Sequence, residues 1–173
     1  MIKRKYKTTD ELTDIIEQEL DNLFRYAFYR LGDIQDAEDI IQDLYLTIHA
    51  KRGEAEKISN PKSYIYRALS NNCTLSLRRR TQSKTISLES CDDIEVLDTY
   101  EIEPQSLEEE FTLINRLLNS IPQEQSEVIR LHIHGKRSFV EIAEILDIPT
   151  TTAKSRFKYG IDKLKTKFIK ENN

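Results

Sequence analysis

The sequence predicts an all-α fold of two small helical domains joined by a flexible acidic linker, and three observations lead there. Apolar residues recur every three or four positions through most of the 173 residues. Gly and Pro number only four each, too few for a turn-rich β-sandwich. A stretch without helical period, Thr81 to about Pro104, separates the periodic parts. The expected boundaries are residues 8–80, a linker at 81–106, and residues 107–170.

Leu12, Ile15, Ile16, Leu20, Leu23, Phe24, Ala27, Phe28 and Leu31 share one face of a long first helix, and Gly32 is placed to end it. Ala37, Ile40, Ile41, Leu44, Tyr45 and Ile48 form the stripe of a second. Lys51 to Ser59 reads as a polar loop. Asn60-Pro61 then starts a third helix, with Asn60 as N-cap and Pro61 in the first helical position. That helix carries Tyr64, Ile65, Ala68 and Leu69 and is expected to run out in Arg78-Arg79-Arg80.

After the linker, Leu107, Phe111, Ile114, Leu117, Leu118 and Ile121 resume the period, and Ser120-Ile121-Pro122 punctuates it. A further helix carries Val128, Ile129 and His132 and ends at Gly135. Ser138-Phe139-Val140-Glu141 has the spacing of a capping box. The short helix of Ile142, Ala143, Ile145 and Leu146 follows, and Asp147-Ile148-Pro149 makes a tight turn. One of Thr150, Thr151 and Thr152 is expected to cap a last helix, whose buried stripe is Ala153, Phe157, Ile161, Leu164 and Phe168. Short helix, tight turn and longer helix is the helix-turn-helix plan, and the small Ala143 lets the two helices approach.

Charge is partitioned. Met1 to Lys84 carry 15 basic and 13 acidic residues, Thr85 to Asn115 none and 10, and Arg116 to Asn173 11 and 7, for a net charge of −4. Two mildly basic blocks thus flank a strongly acidic one, read as a solvated tether. After Asp147, seven basic residues face two acidic ones, and Lys154, Ser155, Lys158 and Tyr159 lie off the buried stripe with Arg156 at its edge. Such a face neutralises phosphates and reaches base edges in a major groove. Between Gly32 and Leu44 stand five acids and no base: Asp33, Asp36, Glu38, Asp39 and Asp43. On physics alone that is either a solvated face or a surface for a basic protein partner. Tyr64, Tyr66 and Arg67, with Asn71, Asn72 and the Arg78–Arg80 run, suit unpaired bases. They equally suit a core tyrosine beside a surface cationic cluster.

Catalytic patterns are lacking. His132 and His134 are two apart, with no further ligand at metal spacing, and no phosphate loop or nucleophile elbow stands out. An enzyme, a cofactor and a metal are therefore not expected. Cys73 and Cys91, the only cysteines, suggest reduced thiols. No apolar run approaches the roughly 18 residues of a membrane span. The basic start Met1 to Lys7 leads into an acidic amphipathic segment, so a cytoplasmic location without membrane insertion is expected.

Taken together, the motifs resemble a known family. Asp36-Ala37-Glu38-Asp39-Ile40-Ile41-Gln42-Asp43-Leu44-Tyr45 resembles the polymerase-binding helix of sigma region 2. Tyr64-Ile65-Tyr66-Arg67-Ala68-Leu69-Ser70-Asn71 is similar to the promoter-melting helix. Leu118-Asn119-Ser120-Ile121-Pro122, Glu141 to Leu146 and Lys154-Ser155-Arg156 resemble region 4. With the large region 3 domain absent, the whole resembles the extracytoplasmic-function sigma factors of bacterial RNA polymerase.

The resemblance implies a transcription initiation factor that binds core polymerase through its β′ clamp helices and β flap, recognises −10 and −35 elements and opens the strands. It assigns Asp36, Glu38, Asp39, Gln42, Asp43 and Tyr45 to core polymerase. It assigns Arg52, Lys62, Tyr64, Arg67, Asn71, Arg78 and Arg79 to −10 DNA. Thr151, Thr152, Lys154, Ser155, Arg156, Lys158 and Tyr159 fall to −35 DNA. An anti-sigma factor is an implied further partner, and the acidic linker would occupy the polymerase active-site channel. Tyr64 stands where the family favours Trp, Leu75 where Asp is common, Thr151 where Gly is common and Tyr159 where Arg is common. The last two bear on promoter preference and leave the fold untouched. The rival reading is a stand-alone helix-turn-helix regulator binding duplex operators as a dimer, for which no self-pairing element stands out. A helical protein-interaction module with an incidental basic end is the other.

Overall fold

A computed structural model describes residues 9–51, 57–86 and 107–171; Arg52, Cys91 and most of the acidic linker lie outside them. Seven helices and no strand occur among the described residues. They are α1 (Thr9–Leu31), α2 (Ile34–Ala50), α3 (Pro61–Ile86), α4 (Leu107–Asn119), α5 (Gln123–Ile133), α6 (Phe139–Leu146) and α7 (Thr150–Glu171). α1, α2 and α3 pack on one another, α5, α6 and α7 do likewise, and α4 lies against α5 and α7.

The local stop and start signals act as read. Gly32 takes φ +79 and its N–H donates to Phe28 O at 2.8 Å, ending α1 in the left-handed conformation. Asp33 caps α2, accepting from Asp36 N at 2.9 Å. Asn60 Oδ1 takes Ser63 N at 3.2 Å, and Pro61 opens α3. Ser138 and Glu141 form the capping box: Glu141 N donates to Ser138 Oγ at 3.3 Å and Ser138 N to Glu141 Oε2 at 2.8 Å. Removing that hydroxyl leaves an N–H at the start of α6 unpaired. Ser138→Ala should therefore lower stability by about 1 kcal/mol in urea denaturation. Asp147 turns left-handed at φ 54.

Four details differ from the sequence reading. α3 continues past Arg80 to Ile86, because a solvated helix of Thr81, Gln82 and Ser83 needs no apolar period. α5 ends at Ile133, two residues before Gly135, and the left-handed residue beyond it is Lys136 at φ 55. α7 starts at Thr150, and the Pro149 carbonyl accepts from Ala153 N at 3.1 Å, so Pro149 rather than a threonine closes its first turn. Leu20 and Phe168, read as part of buried stripes, are exposed.

The core of the first three helices holds Leu12, Ile16, Leu23, Ala37, Leu44 and Leu69, and burying each Leu or Ile contributes about 1.5–3 kcal/mol. A smaller cluster of Leu118, Ile121 and Ile129 meets Ile161 and Leu164, and Phe157 packs against both clusters. Gly160 sits where α7 crosses α5, and a Cβ there would lie 2.7 Å from Ile129 Cδ1. Cys73 is a free, fully buried thiol, its pKa pushed up to about 12, chiefly by burial. No helix among the described residues is long and apolar enough to cross a membrane.

Candidate nucleic-acid and polymerase interfaces

α2 presents its acids outward. Glu38, Asp39, Gln42 and Asp43 are exposed, since the apolar stripe of the same helix turns inward. Asp36 is half-buried and ion-paired with Arg80 of α3. Tyr45 is half-buried against the core, its pKa raised by burial and then by Glu17. Asp39 and Asp43 line a groove between α2 and α3 with Leu46, Leu75 and Arg79. Leu46 is 68% exposed and was not singled out from sequence. The signal was available: it is a large apolar residue off the helix's own stripe, beside acids.

The −10 set divides. Asn71, Arg78 and Arg79 are exposed along α3. Tyr64 is half-buried, with Lys51 Nζ 5.9 Å over its ring. Tyr66 is fully buried; its pKa is raised, by burial above all. Lys62 pairs with Glu19 at 2.6 Å, and Arg67, although exposed, donates its Nε to Ile145 O at 3.1 Å and a second N–H to Glu144 O.

The −35 set is more open. Thr151, Lys154, Lys158 and Tyr159 are exposed, while Thr152 and Ser155 are half-buried and Ser155 Oγ donates to Thr152 O at 3.1 Å. Arg156 pairs with Glu124 at 2.9 Å. Cationic and hydroxyl groups thus occupy the first turns of a helix that α6 and α5 support from behind.

His132 lies between rings, its centroid 4.5 Å from Phe139 and 4.9 Å from Phe157, and is an internal packing residue. No group of metal-ligating side chains occurs among the described residues. His134 is buried and stacks on Tyr29 at 3.7 Å. Its pKa falls to about 4, from burial first and then from Arg130, Arg25 and Lys136. The unfolded chain takes up this proton near pH 6.5, whereas the native chain resists it down to about 4. The resulting stability is complete above pH 6.5 and is lost progressively as pH falls through that window. Between pH 7 and pH 5 the His134 contribution should fall by about 2 kcal/mol. Urea titrations at both pH values should show a loss that His134→Asn reduces by that amount.

The family model for Sigma-70 region 2 matches residues 15–83, and that for Sigma-70 region 4 matches residues 117–166. The ECF RNA polymerase sigma factor SigW of Bacillus subtilis (strain 168) is 26% identical over 180 residues, covering 95% of each chain. The RNA polymerase sigma factor SigV of the same organism is 25% identical over 176 residues, covering 99% of each. Among solved structures, the sigma factor RpoE in complex with the anti-sigma factor NepR from Bartonella quintana superposes with a TM-score of 0.68. It is 22% identical and covers 91% of this chain and 96% of that one. CnrH, in complex with the cytosolic domain of CnrY, superposes with a TM-score of 0.64 at 16% identity, covering 92% and 88%. Regions 2 and 4, matched in this order along the sequence, make this chain a member of the sigma-70 family, of the extracytoplasmic-function type.

Proposed function

We propose that the chain is a transcription initiation factor that binds core RNA polymerase through α2 and reads promoter DNA with α3 and α7. The observation that carries the reading is the pairing of two unlike exposed faces on one fold. One is the acidic face of α2, Glu38, Asp39 and Asp43; the other is the cationic and hydroxylic start of α7. An acidic helix face suits a basic protein partner, and a cationic helix at the end of a helix-turn-helix suits duplex phosphates. A bare duplex-binding regulator has no use for the first.

In this reading Asn71, Tyr64 and the guanidinium groups of α3 take up unpaired −10 bases, since aromatic, amide and cationic groups stack on and hydrogen-bond to single strands. Lys154, Ser155 and Tyr159 meet the −35 duplex. The solved relatives are complexes with NepR and with CnrY, which supports a protein antagonist for this chain too. The test is reconstitution with bacterial core polymerase on promoter templates from the native genome. The initiation-factor reading expects co-purification with core and RNA that starts at discrete sites only when the chain is present. Duplex binding without polymerase dependence would favour the stand-alone regulator instead.

A further inference from the structure

A cavity of about 770 Å³ opens where the end of α1, the second half of α3, α4 and the start of α5 meet. None of the described residues that line it is acidic, although the chain as a whole carries a net charge of −4. Three of them are arginines: Arg30, Arg78 and Arg130. Arg30 and Arg130 are only 8% and 3% exposed, whereas Arg78 is open to solvent.

The two buried guanidinium groups are not equally compensated. Glu127 interacts with both and ion-pairs with Arg30. Arg130 is bonded to neutral oxygens: Nε donates to Tyr29 O, Nη1 to Ser126 Oγ and Nη2 to Asn119 Oδ1, each at 2.9 Å. Its pKa is lowered, by burial first; Glu127 opposes the fall and Arg30 adds to it. Arg30 Nε is buried without a hydrogen-bond partner. A buried cation short of counter-charge and an orphan donor are both costly, and an anion against this wall relieves the cost.

Around the guanidinium groups the lining changes character. Asn115, Asn119 and Gln82 bring carboxamides to it, and Leu77, Leu118 and Ile121 an apolar stretch. Guanidinium groups grip phosphate oxygens, often two at a time. Carboxamides and aliphatic walls take the polar edges and flat faces of an organic group. The volume falls within the roughly 300–1,000 Å³ of small-molecule sites. No residue of α2 or α7 lines the cavity, and Arg78 is its one overlap with the surfaces assigned above to polymerase and DNA.

We propose that this cavity binds a phosphate-bearing small molecule of about nucleotide size, with its phosphates against the three arginines and its organic part against the carboxamides and the apolar stretch. The site does not depend on the promoter assignments made above.

Calorimetric titration of the full chain with ATP, GTP and pyrophosphate at constant ionic strength tests it, with adenosine as the phosphate-free control. ATP or GTP should bind saturably, more tightly than pyrophosphate, and should raise the midpoint of thermal unfolding. Adenosine should do neither. Asn115→Asp places a carboxylate in the cavity and Arg78→Gln removes its exposed cation, and each should weaken nucleotide binding by about tenfold. Arg78 is exposed, so R78Q keeps the fold and carries the test should N115D lose it. Lys163→Ala with Lys165→Ala, both exposed on α7 and outside the cavity, should bind as the parent does. Absence of saturable binding by all three phosphates overturns the site. Pyrophosphate or adenosine binding as tightly as either nucleotide overturns it too. So does nucleotide binding that the α7 pair weakens and the cavity variants leave at parental affinity, since the anion then sits on the basic helix.

Discussion

Reversing one charge on α2 should weaken holoenzyme assembly by about tenfold or more, equivalent to at least about 1.4 kcal/mol. The residue is Asp39, exposed on the outer face of α2 and at the edge of the groove that holds Leu46 and Leu75. A lysine there would meet a basic partner surface with like charge, and such juxtapositions disfavour association strongly. The loss should be largest at low ionic strength and shrink above about 0.15 M salt, where exposed charges are screened within about 8 Å. Competition for core polymerase against a labelled parent chain measures it. Asp39 contributes nothing to the apolar stripe of α2, so thermal unfolding of Asp39→Lys should match the parent. Matching unfolding with unchanged polymerase affinity would remove α2 from the interface.

On α7 a contrast between two neighbours separates fold from recognition. Phe157 packs against both hydrophobic clusters and has its ring 5.4 Å from Phe139 and 4.9 Å from His132. Truncation to alanine should destabilise the chain by about 3 kcal/mol, the low end for an aromatic ring because this one is only half-buried. Lys154, three residues earlier and exposed, should tolerate alanine within about 0.5 kcal/mol. Its loss should instead weaken −35 duplex binding. A phosphate contact would weaken all sequences alike; a base contact would relax one position by about 1–3 kcal/mol. Urea denaturation of both variants, and duplex titration of the holoenzymes they form with core polymerase, give the four numbers. A Lys154→Ala chain with parental duplex affinity and preference would mean that α7 presents another face.

What could be read from sequence followed the range of the signals. Gly32, Asn60-Pro61, the Ser138–Glu141 box and Asp147 each act within a few residues, and each was legible because its geometry is local. The stripes of α1, α2 and α7 were legible for the same reason, apart from Leu20 and Phe168. The polar extension of α3 to Ile86 was not, since a helix without a buried face leaves no period. Nor were the buried ion pairs that tie α1 to the α5–α6 segment. Arg30 and Glu127 lie 97 positions apart and Glu19 and Arg137 118 apart, and in the sequence each reads as an ordinary surface charge. That is also why Lys62 and Arg67 were assigned wholly to DNA, although in the structure both are engaged by protein groups. Arg52 lies outside the described residues.

The central claim is that α3 and α7 of one chain lie on two different promoter elements within one polymerase complex. Site-directed DNA cleavage tests it directly. In a Cys91→Ser chain, a radical-generating iron chelate would be tethered at Asn71→Cys or at Lys154→Cys, both exposed, with the buried Cys73 unreactive. In the holoenzyme on a native promoter, the Asn71 reagent should cut at the −10 element near the melted strand, and the Lys154 reagent at the −35 duplex. Cuts from both positions at one element, or cuts independent of core polymerase, would contradict the account.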